Sequence, residues 1–540
     1  MGAFVQDMSV DTIIINLTRF GDLLQTQATI DDLHNSGHRV GLVCLANFTP
    51  ATRLLRNLQT TWELPGSKLL SALDSDWSAA SEIITDFARD ARTSGTPGHI
   101  VNLTPTLPAR LLSRMLALDG AAVYGFGLDE FGYGVNHGVW SSFVAVAAAR
   151  RGNSPFNLSD MFRMLASPLT KFHSGQSRLR EPDPSDMQWA RDFLSARTRH
   201  LPAQPKGFVA FQLGASEERR RWPVDNFRLV GKNLWEQERL CPILTGTQGE
   251  KALLAEYRRL AREPFVNAIG MTSIHQLAAL LSQCRFLLTN DTGTMHLAAG
   301  LGTPSLSFFM ATAQPWDTGP ALPGCCCLEP AIQCHPCPFG RACPSSEVCR
   351  IHMDARCASD LALNFARNGA WENADGPGLE GKCRIWLTAL DERGMNTLIP
   401  LNENAANGPG LWMRWQRRFW SALLNAMDAP PESGLAPNYD GLPKPENAAD
   451  MSLRLRHAAE LLQTVSECGS NAARTPALGK IFLKNCERLQ ALLDSWPSLT
   501  SLGAFWRQFR TSHGHELEKF CRQTTQIADH AIMLANALQK

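Results

Sequence analysis

The sequence lacks the features that would assign it to a membrane-spanning, secreted or nucleic-acid-binding class. It contains no run of about 18 apolar residues, which excludes a transmembrane helix. Lysine and arginine total 52 against 51 aspartates and glutamates, and the formal net charge of +1 gives no basic footprint for a nucleic acid. Asp7 and Asp11 precede the first apolar stretch, so a signal peptide with a basic start is not expected. We therefore expect a cytoplasmic protein that binds no nucleic acid.

The length and the apolar pattern predict several domains of the α/β class. At about 150 residues per domain, 540 residues correspond to two to four domains. Apolar runs rich in β-branched residues at 12–17, 40–45 and 99–103 read as strands, and helical stretches separate them. The first half is therefore predicted to be an open α/β domain. Residues 120–134, rich in glycine and aromatics, are predicted to form a loop that lines a pocket.

The stretch 287–309 reads as strand, polar turn, helix, turn and second strand, the pattern of a parallel α/β unit. In such units the backbone N–H groups at the start of the helix face an anion at the carboxyl end of the strand. The turn and the first helical turn supply groups suited to a phosphorylated ligand, namely Asp291, Thr292, Gly293, Thr294 and His296. The alternative is an ordinary connection in which Asp291 caps the helix.

Further strand-to-helix turns precede this stretch. The predicted strand 207–212 runs into Gly214, Ala215 and Ser216, followed by three consecutive arginines at 219–221. A glycine turn with a hydroxyl and several guanidinium groups suits a diphosphate, whereas the alternative is a solvated basic loop. A second strand ends in a turn that contains Glu250, and Thr272 with Ser273 is predicted to cap the next helix.

Several segments occur in an order that resembles glycosyltransferase family 9, whose best-known members are the lipopolysaccharide heptosyltransferases. The segments are IIINLTRFGDLLQT, FQLGASEERRRWPVDNF, LTGTQGEKAL and the long segment from MTSIHQ to SLSFF, followed by a cysteine-bearing segment. The resemblance covers roughly residues 12–366. It implies a GT-B fold, in which two Rossmann-like domains face a cleft.

From the resemblance we predict three regions. Residues 1–180 form the acceptor domain, and residues 181–370 form the nucleotide-sugar domain with a cysteine-rich segment at 325–357. Residues 371–540 form a mainly helical extension, in which 383–388 and 395–401 pair as a hairpin or added edge strands. Its helix LWMRWQRRFWSALL suits either a membrane surface or a bundle core, and we favour the bundle.

The resemblance also implies the roles of individual residues. Asp22 matches the general base, with Arg19 and Gly21 beside it on the acceptor side, and Arg220 stands where the family usually has a phosphate-binding lysine. The predicted donor-binding residues are Gly214, Ala215, Ser216, Glu250, Thr272, Asp291, Thr292, Gly293, Thr294 and His296. One departure is Gln27 after Thr26, where the family often has proline.

The implied reaction is an inverting transfer that needs no cofactor. A carboxylate takes the proton of the acceptor hydroxyl, while a fixed cation and helix N-terminal donors stabilise the departing diphosphate. The implied donor is ADP-heptose and the acceptor is a lipopolysaccharide-type glycan, with the enzyme at the inner face of the membrane or in a homo-oligomer. The alternatives are a protein-modifying heptosyltransferase, a GT-B nucleotide-sugar epimerase and a non-catalytic scaffold.

Nine of the fifteen cysteines lie between Cys325 and Cys383. Their clustering favours a metal site or packed thiols over a disulfide scaffold. The spacing of Cys334, Cys337, Cys343 and Cys349 suits a tetrahedral structural zinc or iron ion. Similar cysteine runs occur in members of the resembling family. The alternative is a thiol-rich loop that holds no metal.

Overall fold

The structure is a computed structural model that describes residues 10–93, 97–118, 120–149, 154–172, 175–371, 382–428, 437–513 and 516–540. Its contacts divide the chain into two compact units. The first unit contains Met1–Val123 and Phe156–Ala405, and the second contains Tyr124–Pro155 and Ala406–Lys540. The second unit is therefore built from two separate stretches of chain. The predicted domain boundaries near residues 180 and 370 both fall inside the first unit. They divide the chain in another way and stay predictions.

The strands follow one another in two groups along the chain. They are β1 (Thr12–Asn16), β2 (Val40–Leu45), β3 (Leu58–Leu64), β4 (His99–Asn102), β5 (Ala122–Leu128), β6 (Gly134–His137), β7 (Gly207–Gln212), β8 (Leu240–Thr245), β9 (Val266–Asn267), β10 (Cys284–Asn290), β11 (Ser305–Phe308), β12 (Cys326–Pro330), β13 (Cys383–Leu390) and β14 (Asn396–Pro400).

The helices alternate with these strands in the first unit and dominate the second. They are α1 (Phe20–Gln25), α2 (Gln27–Asn35), α3 (Thr49–Thr52), α4 (Gly66–Ser75), α5 (Trp77–Arg92), α6 (Leu107–Leu116), α7 (Val139–Ala149), α8 (Leu158–Leu165), α9 (Pro184–Thr198), α10 (Val224–Glu238), α11 (Lys251–Leu260), α12 (Ile274–Ser282), α13 (Gly293–Leu301), α14 (Pro315–Thr318), α15 (Cys349–His352), α16 (Ala355–Asn368), α17 (Glu403–Ala406), α18 (Gly408–Asp428), α19 (Ala448–Arg474), α20 (Gly479–Ser495), α21 (Thr500–His513) and α22 (Leu517–Gln539).

The first sheet forms the core of a lobe that we call the first lobe, built around residues 10–123. Its strands lie in the order β3-β2-β1-β4-β5, and the chain passes into the second unit within β5. Strand β1 pairs in parallel with both β2 and β4, and all five of its residues are buried. Burial on both faces explains why this strand is an uninterrupted β-branched run. Its carboxyl end delivers the chain to α1.

The second sheet forms the core of the second lobe of the same unit, built around residues 184–405. Its strand order is β14-β13-β12-β11-β10-β7-β8-β9. Strand β10 lies in the middle and pairs in parallel with β7 and β11, so its carboxyl end lies beside that of β7. The predicted hairpin at 383–401 is confirmed, because β13 and β14 pair antiparallel and extend this sheet. The α/β fold prediction with two open sheets is therefore confirmed.

Cysteines 325–327 belong to the core of the second sheet. Cys326 and Cys327 lie in β12, and the three residues are fully buried. They are separate from the four cysteines of the predicted metal site, which come after the strand.

The glycine-rich segment 120–134 was predicted to be a loop, and this prediction is wrong. Residues Gly125 to Leu128 of β5 pair antiparallel with Gly134 to His137 of β6, so the segment forms a hairpin. Gly125 and Gly132 adopt positive φ angles of 79° and 88°, which glycine reaches without steric cost. Tyr124 and Phe126 lie on β5, whereas Phe131 and Tyr133 lie in the turn between the two strands and are exposed.

The second unit is a helical bundle, and α18 lies within it. Trp415, Phe419 and Trp420 of this helix are buried, which confirms the bundle interpretation over the membrane-surface one. Within the unit, the Trp420 ring lies 5.0 Å from that of Phe143 on α7 and 5.2 Å from that of Phe505 on α21. None of the helices in the described ranges is long and apolar enough to cross a membrane.

Candidate functional site

The turn after β7, residues 214–222, is called the donor loop, and a carboxylate packs against its first residue. A Cβ atom on Gly214 would overlap Oε1 of Glu250, and one on Gly246 would lie 2.5 Å from Oε2. Glycine is therefore needed at both positions for Glu250 to enter. Gln212 Nε2 donates to Glu250 Oε1 at 2.8 Å, and Thr247 N donates to Oε2 at 2.6 Å. The predicted donor residue Glu250 thus lies at the carboxyl ends of β7 and β8.

Arg220 lies inside the site and not on a solvated loop. Arg220 is only 5% exposed. Its Nη1 donates to Ser216 Oγ at 3.2 Å, and its Nη2 donates to the carboxylate of Asp291. Its buried Nε has no hydrogen-bond partner in the described part of the chain. A buried donor without an acceptor costs about 1–3 kcal/mol, and more for a charged group. The guanidinium therefore has one unsatisfied N–H for an anion.

The neighbouring arginines have other partners. Arg219 is bonded to Glu217 and to the carbonyl oxygen of Arg341, and Arg221 Nε donates to the Ala215 carbonyl oxygen at 3.2 Å. Within the described structure, Arg220 differs from Arg219 and Arg221 because its guanidinium is hydrogen-bonded to the side chains of two predicted donor residues, Ser216 and Asp291. The donor role of Arg220 stays a prediction that this placement permits.

Asn290 joins the turn after β10 to the donor loop, and the sequence analysis did not select it. Its Oδ1 accepts from Trp222 N at 2.8 Å, while its Nδ2 donates to the carbonyl oxygens of Leu213 at 2.9 Å and Gly214 at 3.2 Å. Gln212 is a second residue that the sequence analysis did not select. Its Nε2 donates to Glu250, and its Oε1 accepts from Thr294 Oγ1 at 3.3 Å. These two amides at strand ends hold the predicted donor turns at fixed separation.

Helix α13 begins in the turn that carries the predicted anion-binding groups. Thr292 is extended, with φ −148° and ψ 166°, and Gly293 is the first helical residue. Asp291 does not cap the helix by a side-chain bond, since its carboxylate is bonded to Arg220 and to Thr318 Oγ1. The alternative of a simple capping aspartate is therefore not supported.

Thr272 stands apart from the other predicted donor residues. It precedes Ser273, which caps α12 by accepting from Gln276 N at 3.2 Å, as the sequence predicted. No hydrogen bond among the described residues joins the Thr272 side chain to the donor loop or to α13. Its donor role stays a prediction.

The predicted acceptor residues Arg19, Gly21 and Asp22 lie where β1 turns into α1. Asn16 Nδ2 donates to Thr26 Oγ1 at 2.6 Å and to the Asp22 carbonyl oxygen at 3.4 Å. The helical stretch after β1 is divided at Thr26 into α1 and α2. Asp22 is half-buried in the first turn of α1.

The two lobes touch where α1 meets α13. A Cβ atom on Gly21 would lie 2.6 Å from His296 Cδ2 and 3.2 Å from Gly293 Cα, and one on Gly293 would overlap the Phe20 ring. Neither glycine has a positive φ angle, so the close approach and not the backbone conformation requires it. Gln25 Nε2 lies 3.4 Å from His296 Nε2. The structure thus brings the predicted acceptor and donor motifs into direct contact.

The four cysteines of the predicted metal site line one small cavity. Its volume is about 10 Å³, and His335 also lines it. Burial raises the pKa of the Cys337 and Cys349 thiols, and neighbouring thiols raise it further. Thiolate chemistry suits zinc or iron. However, within the described ranges no three His, Cys, Asp or Glu side chains form a group that could hold a metal ion. The residue types suit such an ion, and the metal role of the four cysteines stays a prediction.

His335 connects this cavity to a buried ionic cluster. Its Nε2 lies 3.1 Å from Glu329 Oε2, and its buried Nδ1 has no partner in the described structure. Burial by itself would raise the pKa of Glu329, but the charges of Arg384 and His335 outweigh it and lower the pKa to about 2. Glu329 therefore stays ionised and anchors both Arg384 and His335.

The first unit thus has two open α/β sheets, and in the second a buried arginine, a helix start and a carboxylate lie together at strand ends, where α/β folds commonly bind ligands. Residues 160–347 match the model of glycosyltransferase family 9 (heptosyltransferase). The resemblance predicted from the motifs is thereby confirmed.

Relatives show the same similarity over part of their length. Lipooligosaccharide heptosyltransferase 2 of Haemophilus ducreyi is 29% identical over 143 residues, covering 23% of this chain and 40% of the relative. The chain thus spans well under half of that curated relative. The glycosyltransferase family 9 structure from Veillonella parvula has 17% identity and a TM-score of 0.46, covering 59% of this chain and 86% of that one.

A third similar protein is the ADP-heptose lipopolysaccharide heptosyltransferase II of E. coli. Its structure has 14% identity and a TM-score of 0.45, and the alignment covers 66% of this chain and 99% of that one. Contact with a membrane and assembly into a homo-oligomer stay predictions, because these similarities do not bear on them.

Proposed function

We propose that the chain is an inverting glycosyltransferase that moves a sugar from a nucleotide-sugar to a glycan acceptor. The observation that carries the proposal is the buried Arg220 guanidinium, which faces Ser216 and Asp291 and keeps one N–H unsatisfied. A donor diphosphate supplies the missing acceptor. The family match over residues 160–347 supports a heptose as the sugar. The proposal takes ADP-heptose as the donor and, after the lipooligosaccharide heptosyltransferase relative, a lipopolysaccharide-type glycan as the acceptor.

The proposed mechanism assigns a role to each of three groups. Asp22 takes the proton of the acceptor hydroxyl as that oxygen bonds to the anomeric carbon. The bond from this carbon to the phosphate oxygen breaks, and the nucleoside diphosphate leaves with the electron pair. Arg220 and the N–H groups at the start of α13 stabilise its charge. A single displacement of this kind inverts the anomeric configuration.

A mass-spectrometric screen against nucleotide-sugars tests the reaction class. Purified protein is incubated with each nucleotide-sugar, with and without a lipopolysaccharide core acceptor. We expect ADP-heptose to bind and to be consumed mainly when the acceptor is present. Inversion of the donor sugar without any acceptor would instead identify an epimerase. If the protein bound no nucleotide-sugar, the non-catalytic scaffold would be the remaining alternative.

Arg220→Ala tests the donor assignment directly. Loss of a charged hydrogen bond to the diphosphate costs roughly 2–4 kcal/mol in transition-state stabilisation, whereas Arg220→Lys should cost less. Arg228→Ala is the matched control, because the Arg228 side chain is bonded to Asp225 on its own helix α10 and, among the described residues, to none of the predicted donor residues. Unchanged nucleotide affinity and turnover in Arg220→Ala would exclude the assignment.

We also propose that Cys334, Cys337, Cys343 and Cys349 hold a structural zinc or iron ion. Their common cavity and the unpartnered Nδ1 of His335 support this proposal. The ion would hold the segment together and would take no part in the transfer. Elemental analysis of protein purified without added metal should find about one ion per chain, lost in the Cys337→Ser, Cys343→Ser double variant. Metal-free protein that is folded and active would exclude it.

A further inference from the structure

The segment from Cys334 to Met353, which we call the thiol clasp, is attached to the donor loop at two points. Arg219 Nη1 donates to the carbonyl oxygen of Arg341 at 2.8 Å, and its Nε donates to Glu217 at 2.8 Å. Trp222 Nε1 donates to the carbonyl oxygen of Met353 at 2.8 Å. Arg219 and Trp222 flank Arg220 in the sequence, so the clasp holds the donor loop on both sides of that residue.

The tryptophan attachment is fully buried. Trp222 is 0% exposed, and its ring stacks on Phe308 at the end of β11 with a centroid distance of 3.9 Å. A buried indole N–H needs an acceptor, and the Met353 carbonyl provides it. The backbone N–H of Trp222 donates to Asn290, so one residue connects the clasp, the donor loop and β10.

The beginning of the clasp is attached to the sheet. His335 is bonded to Glu329 on β12, and Cys337 N donates to the Ala311 carbonyl oxygen at 2.7 Å, just past β11. Between these two ends the clasp encloses the cavity lined by the four thiols. The sulfur atoms thus share the inside of the clasp with Ile332 and Val348.

We propose that the thiol clasp is a positioning element for the donor loop. By fixing Arg219 and Trp222, it sets the position of the Arg220 guanidinium, and the four thiols keep the clasp in shape. This inference rests on the proposed function, in which Arg220 receives the donor diphosphate. The clasp itself touches neither the sugar nor the acceptor, so its effect falls on nucleotide affinity and not on proton removal by Asp22.

Trp222→Phe tests the first part of the proposal, because phenylalanine keeps the stacking on Phe308 and removes the N–H donated to Met353. We expect the Kd of ADP to rise about tenfold, the worth of one net hydrogen bond, with kcat at saturating donor nearly unchanged. Trp415→Phe is the matched control. Trp415 is buried and donates its Nε1–H to the Pro443 carbonyl at 2.9 Å, but it lies in the second unit. Its replacement should leave the ADP affinity unchanged.

A second variant keeps the test decisive if Trp222→Phe folds poorly. Arg219→Gln changes a partly exposed side chain and should weaken ADP binding in the same direction. The Cys337→Ser, Cys343→Ser double variant tests the thiols, with Cys468→Ser in the second unit as its control. Amide hydrogen exchange of residues 214–222 should speed up in each clasp variant and in neither control.

The outcomes separate the two proposals. If Trp222→Phe, Arg219→Gln and the thiol variant all keep ADP affinity within about twofold of wild type while Arg220→Ala loses it, the clasp has no positioning role and the donor site stands. If Arg220→Ala also keeps its ADP affinity, the proposed function itself is wrong.

Discussion

At the scale of single residues, Asp22 separates catalysis from donor binding. Its carboxylate belongs to the first lobe, whereas the donor groups belong to the second. We predict that Asp22→Asn lowers transfer on the order of 10²- to 10⁴-fold, the usual effect of losing a general base, and leaves ADP affinity within a few-fold. Steady-state transfer rates and equilibrium nucleotide binding measure the two effects. Asp225→Asn, an exposed carboxylate on α10, is the control.

Two results would contradict this assignment. Transfer at nearly the wild-type rate would place the base elsewhere. A parallel collapse of nucleotide affinity would make Asp22 part of the donor site or of the fold.

The charged and hydroxyl residues of the site were predictable from sequence, whereas its amides were not. Arg220, Ser216 and Asp291 carry groups whose chemistry suits a phosphate in any strand-end turn, and the structure brings these three together. Asn290 and Gln212 act through partners 68 and 38 positions away, namely Trp222 and Glu250. The residues next to an amide in the sequence do not predict such distant hydrogen-bond partners. An amide at a strand end therefore could not be selected as a site residue from the sequence.

At the scale of elements, the contact of α1 with α13 has no space for a side chain at Gly21. We predict that Gly21→Ala lowers transfer by about 10- to 100-fold, because it pushes α1 and Asp22 away from α13, while ADP affinity stays within a few-fold. The measurements are kcat for transfer and the Kd of ADP, and the two are compared. Gly98→Ala in the same lobe is the control, since the nearest atom to its Cβ would be the Asp11 carbonyl oxygen at 3.8 Å. Transfer equal to that of the control would show that the contact is dispensable.

Helix α7 of the second unit begins against the carboxylate of Asp428. Val139 N donates to Asp428 Oδ1 at 3.3 Å, and burial raises the pKa of Asp428 from 3.8 to about 6. The folded state therefore binds the proton more tightly than the unfolded chain does. Its contribution to stability is full below about pH 4 and is lost as the pH rises through 6.

Asp428→Asn should remove this dependence, because the amide oxygen still accepts from Val139 N and no longer ionises. Urea unfolding at pH 4 and pH 7 measures it, and the variant should be more stable than the wild type at pH 7 and similar at pH 4. Asp529→Asn, an exposed residue of α22, should follow the wild type at both values. A variant with the wild-type pH dependence would show that Asp428 is not its source.

Sequence periodicity located the buried strands of both sheets but missed the hairpin of β5 and β6. The predicted ranges 40–45 and 207–212 coincide with β2 and β7, since apolar strands of a parallel sheet are buried on both faces. The hairpin contains several glycines, which weaken the strand signal and favour a turn. Its place in the second unit depends on helices that lie far along the chain, and no local pattern reveals that.

At the scale of the whole molecule, the second unit is assembled from two stretches that about 250 residues of the first unit separate. Helix α7, which is almost entirely apolar, packs there beside Trp420 and α21. During synthesis at about 5–20 residues per second, its partners leave the ribosome roughly 10 to 50 s later. For that interval α7 is an exposed apolar helix on a nascent chain. We therefore expect a chaperone to bind this protein during translation. We also expect the yield of protein to fall when α18 to α22 are removed.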